Sequence, residues 1–564
     1  MNDTPSQYPP PFQVSDYVTK LTSTPDKQLP VGVLIVGAGP AGLAAAIRLS
    51  QLLETAPEIK QSLGDFPIAV LEKGKYPGAH LLSGAVINPI AFRKLFPNLK
   101  ESDFPFYGPV EKESVYFLTA KNSFPIPVPP TMKNHGNFAA SLSKVGGWLA
   151  KKAESAGVTI LPETTGSKLL VEDGVVRGVR TGDKGRDRNG SPLSNFEEGV
   201  DMVAQATILA EGTQGHLTQT AIEHFKIKGP NPQIYALGVK EVWEVAKPLD
   251  RVIHTMGWPL RLGKKYGEFG GSFAYPLGKD KASLGLVVGL DYHDASLSVH
   301  DLFQEMKCHP IFRKILEGGK RLDKGWGAKT IPEGGFYALP KRLSLPGALL
   351  LGDAAGFVNV PALKGIHYAM WSGMLAAETI FEALRGKKDL KSAETLKSYD
   401  TAVQKSFIWK DLYQVRNMRQ AFQWGFVPGG ILAGMMTVTK GLFPGGQFRA
   451  KADSEQTLFL GNKKYVKPDN KYTFDKLSST YASGNRSRDS QPNHIKISQD
   501  VSEVVGEAWI HMCPANVYEW HTTPEGKKQI QLNPSNCIHC GAITAKGGRL
   551  TPPEGGSGPE YTEM

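Results

Sequence analysis

The sequence predicts an α/β protein, α+β overall. Its base is a discontinuous Rossmann-like dinucleotide-binding domain, joined by an antiparallel sheet and a small cysteine-bearing domain. Three observations predict this. A strand–turn–helix unit beginning near residue 33 carries glycines at G-x-G-x-x-G spacing. A second glycine-rich turn follows an apolar strand at 348–357. Three of the four cysteines lie beyond residue 512.

At 564 residues the chain has room for roughly three or four domains. Hydrophobic residues make up 41% and charged residues 21%, which is globular usage and excludes collagen, coiled coil and wholesale disorder. A mean hydropathy of -0.25 argues against a polytopic membrane protein. Lys+Arg 65 against Asp+Glu 54 gives +11, a balance that permits anionic partners without choosing one. There is no long basic block and no zinc-finger or RNP-like motif, so nucleic acid is not an expected partner. Four cysteines are too few for a secreted disulfide framework. The opening MNDTPSQYPPPFQVSDY lacks a basic n-region followed by an apolar core, so no signal peptide is expected. It also lacks the Arg-rich look of a transit peptide. A bacterial intracellular protein is the expectation, with a processed chain as the alternative.

Residues 1–29 are read as an arm rich in Pro, Ser and Thr. Val33–Val36 then form a short apolar β-branched run, suited to a buried parallel strand. Gly37 permits the tight turn, Gly39 lets backbone approach a pyrophosphate, and Gly42 lets the helix pack on the strand. The helix start meets the negative charge. The acidic residue expected after the second strand is Glu72, in PIAVLEKG, as a ribose ligand; ETAPEIKQSLGD before it reads as a surface insertion.

The run ALLLGDAAGF sets Gly352 and Asp353 after an apolar strand. It resembles the Gly-Asp signature of FAD enzymes of the p-hydroxybenzoate hydroxylase type, in which the Asp meets the ribityl chain. ATILAEGTQGHL, with Glu211 and Gly212, resembles that fold's third FAD strand. The dinucleotide is therefore expected to be FAD. No second G-x-G-x-x-G stands between a strand and a helix, so no separate nicotinamide domain is expected.

Longer blocks resemble one family. GAHLLSGAVINPIAF (78–92), FGGSFAYPL (269–277), EGGFYALPK (333–341), GDAAGFVNVPALKGIHYAM (352–370), CPANVYEW (513–520), NPSNCIHC (533–540) and PEGGSGPEY (553–561) resemble electron-transfer flavoprotein:ubiquinone oxidoreductase, in family order to the C-terminus. The resemblance implies oxidation of a small electron-transfer flavoprotein and reduction of membrane ubiquinone, with FAD and a [4Fe-4S] cluster as carriers. Such electron transfer needs placed cofactors rather than a catalytic triad, and no catalytic side chain is nominated. The resemblance also adds Ser83 and Gly84, and Gly365 with Ile366 near the flavin pyrimidine edge, to the flavin site. It places Gly270 and Gly271 at the quinone. His367 is read as a proton carrier or a core histidine.

Residues 420–439 carry no charge over twenty positions, with Arg416, Arg419 and Lys440 at the ends. Pro428, Gly429, Gly430 and Gly434 interrupt the run, so it reads as an interfacial anchor rather than a spanning helix, or else as a buried hairpin. INPIAFRKLFPNLK (87–100) reads equally as a second lipid contact or a core helix.

In the family, a Cys-Pro is followed by C-x2-C-x2-C. Here Cys513, Cys537 and Cys540 match, and the remaining position holds Ile543. Three readings stay open. A cluster survives as [3Fe-4S] or with another fourth ligand such as His511; the cluster is absent; or the cysteines and a histidine bind zinc. His539 is expected to point elsewhere, and Cys308 reads as an unrelated helix residue.

The expected domains are FAD-binding at 30–109, 134–230 and 345–410; quinone-binding at 110–133 and 231–344; a membrane patch at 421–445; and a ferredoxin-like iron–sulfur domain at 500–564. A monomer lying peripherally on the cytoplasmic face of a bacterial inner membrane is expected, with the matrix side of the mitochondrial inner membrane as alternative. The competing functions are a geranylgeranyl-reductase-like or monooxygenase-like FAD enzyme with a vestigial tail, and a non-enzymatic scaffold with a zinc-stapled tail.

Overall fold

The computed structural model describes residues 3–564. Strand β1 (Gln28–Val36) is buried from Val31 onward, as its apolar run predicts. It feeds helix α1 (Pro40–Leu53), whose first residue is a proline, where no backbone donor is needed. β2 (Ile68–Leu71) follows after a short helix, Pro57–Ser62, with no buried residue, which puts the segment read as an insertion at the surface. Helix α2 (Leu142–Ser155) leads into β3 (Thr159–Leu161), β4 (Gly166–Glu172), β5 (Val175–Thr181) and β6 (Asp201–Leu209). β6, β1, β2 and β3 run parallel, with Ile35 beside both Val70 and Ile208. Strand Ala348–Leu350 joins β6 in parallel, with Leu349 beside Ile208, so two segments far apart in the chain share one sheet.

 That pairing is what makes the dinucleotide domain discontinuous. Residues Val18–Thr19 of the N-terminal arm add an edge strand on β4. Helix α3 (His216–His224) follows β6, and helix α4 (Ile366–Arg385) crosses α1. The crossing is close because Gly373 has no side chain: a Cβ there would stand 2.3 Å from the Ala41 carbonyl oxygen.

The second sheet contains β7 (Tyr235–Glu244), β8 (Val252–Gly257), β9 (Gly270–Leu277), β10 (Lys281–Gly289) and β11 (Lys320–Pro332), in the order β11-β7-β10-β9-β8. These pairs are antiparallel; Glu113–Leu118 then adds in parallel beside β8. Trp243, Trp326 and Tyr292 are fully buried against it. One apolar cluster joins this sheet to the C-terminal region: Leu237 and Trp326 share it with Val505, Trp509, Cys513 and Ile543. The cysteine-bearing region is thus packed on the sheet, not tethered beside it.

Helix α5 (Phe426–Val438) corrects one expectation. Pro428 and the glycines do not interrupt it. The proline lies in the first turn, where its missing N–H costs nothing. At 13 residues the helix is about 20 Å long, short of a bilayer core of about 30 Å. Among the described residues no helix is long and apolar enough to cross a membrane. Residues 87–100 take the core reading. Ala91, Phe92 and Leu95 of the short helix Ile90–Leu95 are buried, and Arg93 pairs with Glu101.

Candidate functional site

Both glycine fingerprints line one cavity of about 380 Å3. Gly37, Gly39 and Glu72 form one wall, and Asp353, Gly365 and Ile366 another. The glycines differ in what requires them. Gly37 has φ +107° and its Cβ would stand 2.5 Å from the Ala210 carbonyl oxygen; a Cβ on Gly42 would stand 2.1 Å from the Gly37 carbonyl oxygen. Those two serve the turn itself. A Cβ on Gly39 would meet nothing nearer than Leu81, at 3.9 Å, so glycine there keeps the cavity open rather than relieving the chain. Buried ring nitrogens of His367, His494 and His539, all lining this cavity, have no hydrogen-bond partner. An open cradle at a helix N-terminus with orphaned polar atoms around it fits a bound dinucleotide.

Glu72 faces the cavity, accepting from the Ala38 amide at 3.2 Å and the Gly74 amide at 2.6 Å. Burial pushes its pKa up, and lifts Asp353 to about 6. Gly352, at φ +55°, wedges between α1 and α4: its Cβ would stand 3.1 Å from both Ala41 and Ala369. Glu211 has a structural task. It accepts from the Leu217 and Thr218 amides at 3.0 and 2.7 Å, capping α3. Gly212, beside it, takes φ +75° on the cavity wall. Ser83 and Gly84 also line the cavity; the Ser83 carbonyl accepts from Lys240 at 2.9 Å. His367 is buried on α4 and lines the cavity with its Nδ1 unpartnered; burial holds its pKa down, near 3.

Sequence reasoning missed a set of cations. Lys240, Lys329 and Lys364 line the cavity, and burial lowers them to about 7, 8 and 8. They sit in unremarkable runs on β7, on β11 and in a loop, and only the fold converges them. It also missed His80 and His494, which line the same cavity.

Cys513, Cys537 and Cys540 line a second, smaller cavity. All are free thiols, and the Val517 amide points at Cys513 Sγ at 3.4 Å. Burial pushes all three pKa values up, Cys540 to about 12. A metal's charge is what would hold them ionised. The donor set fits three metal corners. Ile543 is 3% exposed and lines the cavity with Ala542 and Leu550; among the described residues no Asp, Glu or His lines it. His511 is not a fourth ligand here: its Nε2 stands 3.3 Å from Glu507, off the cavity. His539 lines the flavin cavity and not the thiol cavity, although its ring has a donor atom within 4.8 Å of the Cys537 sulfur. Cys308, expected as an unrelated helix residue, is the C-cap of the helix Val299–Lys307 and is exposed.

Gly270 and Gly271 open β9 outside the walls of the flavin cavity. Their Cβ atoms would meet the Val287 and Thr255 carbonyl oxygens at 2.0 and 2.4 Å, and Gly270 also has φ +149°, so local backbone packing and conformation account for both glycines. That end of β9 lies beside α5, with the Phe269 and Phe422 rings 4.8 Å apart. Val427, Ile431 and Val438 of α5 are exposed, at 67%, 61% and 85%. Leu432 instead packs against Met418 and Met436. Arg416 and Arg419, expected at a lipid surface, are buried. Arg419 pairs with Glu333 at 2.7 Å and Asp291 at 2.8 Å, tying the segment to the second sheet.

A family model described as "ETF-QO, ubiquinone-binding" matches residues 235–331, the span of β7 to β11. Another, "Electron transfer flavoprotein-ubiquinone oxidoreductase, 4Fe-4S", matches 470–562. The mitochondrial electron transfer flavoprotein-ubiquinone oxidoreductase of Dictyostelium discoideum is 40% identical, over 94% of this chain and 90% of its own length. The chain belongs to the electron transfer flavoprotein-ubiquinone oxidoreductase family. The human mitochondrial member is 39% identical, over 94% of this chain and 89% of its own. Among solved structures, a geranylgeranyl bacteriochlorophyll reductase-like protein of Thermoplasma acidophilum has the same fold at 19% identity. Its TM-score is 0.55, over 76% of this chain and 93% of that one. The family's fold class is thus the expected one, with FAD-binding and iron–sulfur parts.

Proposed function

We propose that this chain takes electrons from reduced electron-transfer flavoprotein and delivers them to ubiquinone, through FAD and an iron–sulfur cluster. The observation that carries the reading is the join between the parts. The flavin cavity takes its walls from both fingerprints and from β7, β9, β10 and β11, the span that matches the ubiquinone-binding family model. Bound FAD supplies the two-electron centre and the cluster supplies one-electron steps. The residues hold and shield it. Gly37, Gly39 and Gly42 shape the pyrophosphate turn, Glu72 takes a ribose, and Asp353 takes the ribityl chain. Lys240 sits wholly buried with its Nζ on the Ser83 carbonyl and holds a proton that is lost near pH 7. Lys329 and Lys364 line the same site, and each lysine that keeps its proton would add positive charge beside the flavin.

The finer reading is a monotopic monomer. The exposed apolar face of α5 lies in lipid and admits ubiquinone towards Gly270 and Gly271. The membrane face is the cytoplasmic side of a bacterial inner membrane, or the matrix side of a mitochondrial one; the curated relatives are named as mitochondrial. The test is anaerobic mixing of the purified chain with reduced electron-transfer flavoprotein and a short-chain ubiquinone. Quinol formation supports the reading; a flavin that accepts electrons only from another donor ends it.

A further inference from the structure

The loop Cys537–Cys540 faces two cavities. Cys537 and Cys540 line the thiol cavity, while His539 between them lines the flavin cavity. His539 itself takes the left-handed conformation, with φ 53°, between the two thiol-bearing positions. His539 stands in the middle of a row of imidazoles. The His80 and His539 rings are 5.5 Å apart and the His539 and His494 rings 5.0 Å, both edge-on. One end of the row lies beside Glu72. The point where a Cβ on Gly74 would stand is 3.0 Å from Glu72 Oε1 and 3.3 Å from His80 Cδ2. The other end reaches the thiols: donor atoms of His494, His539 and Cys537 lie within 4.8 Å of one another. His494 and His539 are 3% and 4% exposed, and none of their ring nitrogens has a hydrogen-bond partner.

We infer that His80, His539 and His494 form a binding row for the adenosine half of the flavin dinucleotide, so that the loop carrying two cluster thiols also grips the far end of the flavin. This rests on the flavin reading above. Position chooses the ligand. The pyrophosphate belongs at Gly39 and the start of α1, and Glu72 marks the adenosine ribose. A row that starts beside Glu72 lies on the adenosine side of the site and meets the adenine edge and ribose hydroxyls. Each imidazole offers one donor and one acceptor, which suits an uncharged purine edge. A metal ion on His494, His539 and Cys537 is the competing occupant, but Cys537 already lines the thiol cavity. The shared loop links the sites: whatever orders it for one cofactor lowers the cost of binding the other, in both directions.

The test uses the full chain stripped of flavin, titrated with FAD and separately with ADP. His494→Ala and His539→Ala are each expected to weaken both ligands about tenfold, the effect of one lost hydrogen bond, with His539→Gln recovering part of it. Parent-like FAD binding in both alanine variants overturns the inference. So does a loss for FAD with no loss for ADP, and so does a loss of bound zinc with FAD unchanged. Should a variant misfold, the parent chain still decides: ADP must protect these rings from carbethoxylation, and equal labelling with and without ADP overturns the row. A failed row leaves FAD binding intact, whereas a chain that takes up no FAD fails the functional reading itself.

Discussion

At the scale of single residues, the flavin site makes two predictions. Asp353 is held in a dry wall at the expected ribityl position, and Gly39 keeps a cradle open that its own chain does not need. Asp353→Ala should lower flavin content, and Gly39→Val should abolish it, because a valine would occupy cofactor space. Absorbance at fixed protein concentration checks both. Lys240 predicts a pH effect. Its folded pKa of about 7 lies below the unfolded 10.5, so between those values the unfolded chain binds more protons. This group therefore makes stability rise with pH from about 7 towards 10.5, and Lys240→Met should remove that rise. Melting temperatures of the flavin-free parent and variant across that window measure it. An identical pH dependence in both would assign the effect to other groups. The glycines, Glu72 and Asp353 were legible because each motif carries its own local reason. The lysines and His80 were not, since nothing local marks a lysine in a strand as cavity-facing.

At the scale of elements, α5 and the segment before it behave differently. The charge-free run read as an interfacial anchor or a buried hairpin; it folds as a helix on which Val427, Ile431 and Val438 are exposed. The flanking arginines misled: a charge beside an apolar run reads as interfacial, but its partners Glu333 and Asp291 are distant in sequence. Arg419→Ala leaves two carboxylates without their cation and should destabilise the fold by about 3–5 kcal/mol. Urea unfolding tests this. Val427→Asp with Ile431→Asp should leave the fold intact, because both side chains are exposed, yet release the protein from liposomes. Binding equal to the parent's in a flotation assay would make α5 an ordinary surface helix. Leu432 is a poor choice for that experiment, being packed against Met418 and Met436. The helix boundaries were misread at Pro428 because a proline breaks a helix only beyond its first turn.

At the scale of the whole molecule, three parts share walls. The second sheet and the cysteine region form one apolar cluster, and the flavin cavity draws on all three. The order of these parts was legible through the spacing of glycines and cysteines. Their interpenetration was not, because the strand pairings and the imidazole row join residues hundreds apart. The thiol site carries its own prediction. A cubane needs a ligand at each iron, and this cavity offers three thiols facing an apolar wall at Ile543. Anaerobic protein should yield a cluster that loses iron in air. Ile543→Cys should slow that loss, and Cys540→Ser should remove most iron. Iron and sulfide analysis with EPR spectroscopy reads all three, and unchanged iron in Cys540→Ser would mean that no cluster is held there. The central claim is the path from flavoprotein to quinone, and stopped-flow absorbance tests it most directly. Mixed anaerobically with reduced electron-transfer flavoprotein, the bound flavin should bleach, and a second mix with ubiquinone should restore its yellow colour with quinol formed in proportion. Bleaching that ubiquinone leaves untouched, but an isoprenoid substrate reverses, would contradict the account.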